Sequence, residues 1–87
     1  MASRRQIVTA LRKQFPDIAD HLEQIHGTGR VTGAVISSRF ENLDHEKRQK
    51  LLWHALEKSF DAGELVNVGP IVTMAPIDAE LGAVDTD

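Results

Sequence analysis

Val35-Ile36-Ser37-Ser38-Arg39-Phe40-Glu41-Asn42-Leu43-Asp44-His45-Glu46-Lys47-Arg48-Gln49 decides the fold. Its first residues close a β-branched run from Arg30 to Ser37, which predicts a strand. Val35-Ile36 predicts burial on both faces of that strand, and Gly33 predicts a bulge or a close backbone approach. Ser37-Ser38 ends it. Asp44 is a good helix N-cap, and Glu46 just inside suits the positive end of a helix. The helix that follows carries Leu51, Leu52, Ala55, Leu56 and Phe60 as an apolar stripe, with Gln49, Trp53 and Glu57 on its flank. Its expected end is Gly63, after the weak helix formers Asp61-Ala62. Arg39 precedes this helix, and Lys47, Arg48 and Lys50 occupy its first two turns. The junction therefore presents positive charge.

Upstream, Ser3 to Phe15 reads as a helix. Ser3 with Gln6 three residues on fits a capping box. Ile7, Leu11 and Phe15 recur at four-residue steps beside Val8, and Pro16 stops the run. Arg4, Arg5, Arg12 and Lys13 lie off that face as a solvated surface. Asp17 to His26 fits two templates. Ile18, Leu22 and Ile25 hold a helical step, while a strand from Leu22 to His26 would feed Gly27-Thr28-Gly29 as a hairpin turn. Downstream, Leu65 to Met74 reads as a last strand. Pro70 has no N–H to donate, so this strand belongs at an edge or carries a bulge. Pro76 to Glu80 fits one helical turn.

The order helix, strand, strand, helix, strand predicts an α+β domain. A long helix between the second and third strands makes a crossover that leaves them parallel. The expected architecture is a three-stranded mixed sheet with helices packed on one face. One domain is expected over residues 1–80, with 81–87 as a disordered acidic tail.

Composition narrows the classes. The chain has 87 residues, no cysteine and a net charge of −3. The missing thiols exclude disulfides, thiol catalysis and cysteine-held metal within the chain. No apolar run approaches the roughly 18 residues of a membrane span, and Arg4-Arg5 is not followed by the apolar segment of a signal peptide. A cytoplasmic location is expected. Asp78, Glu80, Asp85 and Asp87 are not matched by any base from Asp78 onward, so the body ahead of them is near neutral. That is less basic than nucleic-acid-binding domains usually are.

No catalytic group emerges. Ser37 and Ser38 lack a nucleophile-elbow context and fit a strand end. His21, His26, His45 and His54 do not fall three or four apart, so they do not pair on one helix face. His26 at a hairpin tip offers at most one ligand to a metal shared with another protein. Gly27-Thr28-Gly29-Arg30 lacks the spacing of a phosphate-binding loop. The strongest candidate surface is the set Arg39, Lys47, Arg48 and Lys50, which can meet phosphates or a regulatory partner. Trp53 fits packing better than stacking on a ligand.

These residues resemble the BolA-like proteins over roughly Ile7 to Glu80. The likeness rests on the helix, Phe15-Pro16, the hairpin, then Val35-Ile36-Ser37-Ser38-Arg39-Phe40-Glu41-Asn42-Leu43 with Arg48-Gln49. It closes with Ile71-Val72-Thr73-Met74-Ala75-Pro76 and Glu80. The resemblance implies an α-β-β-α-β fold close to a type II KH domain, with a strand at Leu22 to Ile25. It implies a non-enzymatic, stress-linked regulatory role that contacts DNA or RNA. It also implies pairing with a monothiol glutaredoxin around a shared two-iron cluster. Four positions depart from the family's pattern. Asn42 replaces the glycine of Phe-x-Gly, Gln49 replaces the helix histidine, Thr-x-Thr-Pro has become Thr73-Met74-Ala75-Pro76, and Asn67 replaces the histidine that ligates the cluster. An amide is a poor iron ligand there, so no cofactor is expected in this chain.

Overall fold

A computed structural model gives the structure of the chain and describes residues 1–78. Helix α1 (Arg4–Gln14) begins at Ser3, whose hydroxyl accepts from the Gln6 amide while the Gln6 side chain accepts from the Ser3 N–H. The expected capping box is formed. Ile7, Val8, Ala10 and Leu11 face the core, and Phe15 caps the helix with a fully buried ring.

The ambiguous segment is strand β1 (Ala19–Gln24), which starts earlier than Leu22 and ends before His26. The helical alternative fails because Ile25, which would complete its apolar face, is 44% exposed. Ladder bonds to strand β2 (Val31–Ile36) outweigh the local helical periodicity. The turn between them uses Gly27 and Gly29 at φ of 95° and 72°. Glycine reaches this region without a Cβ penalty.

β2 is the middle strand, antiparallel to β1 and parallel to β3 (Val68–Met74). The crossover between β2 and β3 runs through helix α2 (His45–Glu57), capped by Asp44 as expected. α2 ends at Glu57, not at Gly63. Lys58, Ser59 and Phe60 fold back onto the carbonyls of His54 and Leu56. Asp61 and Glu64 then exchange side-chain-to-backbone hydrogen bonds of 2.8 and 3.1 Å, which closes a separate turn. β3 begins at Val68 rather than Leu65, because the Val68 N–H turns back to the Leu65 carbonyl. Pro70 is exposed on an edge strand, and the β2–β3 register shifts between Val31 and Gly33. Edge and irregularity were both expected of that proline. Pro76–Asp78 forms one helical turn. Its expected continuation to Glu80, the domain end at 80 and the tail at 81–87 lie outside the described residues.

The core lies between the helices and one sheet face. Leu22, Val31, Val35 and Ile71 meet Ile7, Leu11, Leu52 and Leu56 there, with Phe15 against Phe40 at 5.1 Å. The opposite face carries His21, Ala34 and Val72 in one row. Val72 is 54% exposed there. Ile36 belongs to this second face and is half-buried, so β2 is buried on the face of Val35 and only partly on the other, short of the expected burial on both.

Candidate binding face

The strand-to-helix junction is built on Asp17. Its carboxylate accepts from the hydroxyls of Ser37 and Ser38, both at 2.7 Å, and from the Ser38 N–H at 2.8 Å. The Ser38 hydroxyl first, then the Ser37 hydroxyl and the Ser38 N–H, lower its pKa from 3.8 to about 2. Both serines thus fasten the end of β2 to the turn after α1. A 3-10 turn at Ser38–Phe40 then buries Phe40 and turns Arg39 outward. Asn42 follows at φ 63°. Asparagine is among the few side chains that enter this region readily, so Asn42 can replace a glycine there.

The four basic candidates divide. The Arg39 guanidinium lies 5.3 Å from the Phe15 ring centroid and donates to the Gln14 carbonyl. Arg48 is only 16% exposed at its side chain. Its Nε donates to the Leu43 carbonyl at 2.9 Å, and its Nη1 donates to Asp78 Oδ2 at 2.7 Å. That contact with Arg48, followed by the Ala75 N–H, holds the Asp78 carboxyl below its ordinary pKa. Arg39 and Arg48 therefore make contacts within the fold as well as belonging to the basic set Arg39, Lys47, Arg48 and Lys50. Lys47 and Lys50 remain on the outer side of α2. Lys50 Nζ meets Glu46 Oε1 at 3.2 Å between two highly exposed side chains, and Lys47 is in no ion pair among the described residues.

One side chain from each helix also bonds a backbone carbonyl on an edge strand. Arg4 Nε donates to the Leu22 carbonyl at 2.7 Å on β1, and its Nη2 meets Asp20 at 2.6 Å. Gln49 Nε2 donates to the Ile71 carbonyl at 2.8 Å on β3, while its Oε1 accepts from Trp53 Nε1 at 3.3 Å. A carbonyl engaged in this way is not offered to a further strand.

The outer side of α2 holds two adjoining grooves. One of about 350 Å³ is lined by Leu43, Lys47, Lys50, Leu51 and His54. The other, about 660 Å³, shares Lys50 and His54 and extends past Gln49 and Trp53 to Glu57. The sequence pointed to the lysines but not to these grooves. Leu51 and Trp53 were read as stripe and flank, and both are half-buried at the rim of the core.

Asn67 is 8% exposed. Its Nδ2 donates to the carbonyls of Ala2 and Gly29 at 2.9 and 2.8 Å, while Oδ1 has no protein partner among the described residues. The amide thus ties the N-terminus and the hairpin turn to the start of β3. His26 sits exposed in that same turn. Among the described residues no group of three metal-ligating side chains comes together. No helix is long and apolar enough to cross a membrane among those residues. No family model matches the chain, and no curated protein matches it.

Proposed function

We propose that this chain is a non-enzymatic, BolA-like regulatory binding module that meets its partner with the outer face of α2. The observation that carries the reading is the pair of grooves over Leu43, Leu51 and Trp53. Lys47 and Lys50 flank them, free of the structural contacts that engage Arg39 and Arg48. Apolar hollows ringed by polar groups are where proteins bind one another. A phosphate backbone finds less here. Asp44 already caps the α2 N-terminus, and Glu46 stands beside the lysines. DNA or RNA contact would rest on Lys47 and Lys50 alone. Charge reversal at both, Lys47→Glu with Lys50→Glu, is expected to abolish retention of the partner in affinity capture while the amide spectrum stays folded. Equal retention by both proteins would remove this face from the reading. Duplex DNA that shifts Leu43 to His54 amides and loses its grip with added salt would make nucleic acid the partner.

A monothiol glutaredoxin is the second reading, favoured by one observation. The turn carrying His26 is held against Asn67 through the Gly29 carbonyl. Asn67 does not fit as an iron ligand, because its Nδ2 donates twice to backbone and its oxygen is buried. His26, exposed in that turn, would be the substitute ligand. A cluster-loaded glutaredoxin should then change its visible spectrum on mixing, and His26→Ala should abolish the change. An unchanged spectrum with the unmodified chain would end this reading.

A further inference from the structure

The smaller α2 groove has a chemistry that specifies its occupant. Its floor is Leu43 and Leu51, and its rim is Lys47, Lys50 and His54, with no acid among them. The exposed Glu46–Lys50 contact is an i,i+4 pair between groups about three-quarters exposed, so an incoming carboxylate can replace it at little cost. Beyond Lys50 and His54 the hollow continues past Glu46 to Trp53, a residue type that often anchors interfaces, and ends at Glu57, so the carboxylate contacts belong to the smaller groove. One carbonyl on each edge strand is engaged, Leu22 by Arg4 and Ile71 by Gln49, whereas the α2 face is open to an extended or helical segment.

We infer that this groove takes a short acidic peptide segment of a partner protein, with aliphatic side chains on Leu43 and Leu51 and carboxylates on Lys47 and Lys50. The inference rests on the reading of the α2 face as the contact surface. Phosphate esters satisfy the lysines but leave the leucine floor uncovered. An aliphatic, acidic segment satisfies both. The grooved face runs along α2, so one segment contacts it from Leu43 toward Trp53.

The test uses the full chain, isotopically labelled, and a synthetic peptide of alternating acidic residues and leucine. The expected result is amide shifts confined to Leu43 through His54. Binding should weaken about 10-fold or more when the peptide's Asp and Glu become Asn and Gln, and equally when Lys47→Ala is combined with Lys50→Ala. Equal binding of the neutral peptide overturns the inference but leaves the α2 face standing as a contact surface. Duplex DNA that shifts the same amides and displaces the peptide also overturns it. Shifts centred instead on His21, Ala34 and Val72 overturn both the inference and the α2 reading.

Discussion

Gly33 lies at φ 137°, and a Cβ built on it would stand 2.2 Å from the His21 carbonyl oxygen. Neither backbone can retreat, because β1 and β3 both pair with this strand. Gly33→Ala is therefore expected to cost roughly 2–4 kcal/mol, or to prevent folding, as read by urea denaturation. Gly27 has the same need for positive φ but open space around its Cβ position. Gly27→Ala should cost only about 1 kcal/mol. Equal costs at the two positions would show that the close approach at Gly33 is not what fixes it. The sequence announced a special backbone at Gly33 because glycine is rare inside a β-branched run. It did not announce Asn67, whose partners Ala2 and Gly29 are far from it in the chain.

Among the elements, the end of β2 depends on ionised Asp17. Its folded pKa of about 2 lies below the ordinary 3.8, so its contribution is complete above the ordinary value and disappears as pH falls through the folded one. Asp17→Asn is expected to be less stable at neutral pH. The stability gap between the two proteins should close as pH drops from ~4 toward 2, since the native carboxyl then protonates too. A gap that stays constant over that range would rule out the carboxylate as the cause. Arg48 acts at the same scale. It joins the start of α2, through the Leu43 carbonyl, to the turn after β3, through Asp78. Arg48→Ala should lower stability by about 2 kcal/mol in denaturant titration, in the range for hydrogen bonds to charged groups. Lys47→Ala should be neutral within about 0.5 kcal/mol, as expected for a surface site. A reversed order would return Arg48 to the list of free contact residues. Sequence alone placed both on one helix start. The third dimension separated them by bringing Asp78 and the Leu43 carbonyl to one of them.

At the scale of the molecule, the sheet is covered on one face and open on the other. Three strands about 4.8 Å apart, two of six residues and one of seven, offer roughly 300 Å² on the open face, well short of the ~800 Å² per partner of a stable interface. Sedimentation at micromolar concentration should therefore find a monomer. A dimer that dissociates on Val72→Lys would assign the open face a partner in a second copy.

Secondary structure and its order were legible because they follow from local rules. A capping box at Ser3, a stop at Pro16, an N-cap at Asp44, two glycines in a turn and a proline on the last strand each act over a few residues. The mixed sheet followed, since a helix between two strands makes them parallel. Element ends were less legible: α2 stops at Glu57 because of the turns made by Ser59, Phe60 and Asp61, and β1 is a strand because β2 pairs with it. The candidate site was half legible. Charge at Arg39, Lys47, Arg48 and Lys50 can be read from a string of letters. Which of those charges is free cannot, because that depends on groups up to thirty positions away reaching the same point in space. The sequence by itself determined α1, β2, α2 and β3 in their order and the turn positions, through propensity, capping and periodicity. Only the tertiary structure decided that Asp17 fastens two serines, that Asn67 is a buried tie and that Lys47 and Lys50 border an apolar groove. Long-range packing sets those distances, and no local rule contains them.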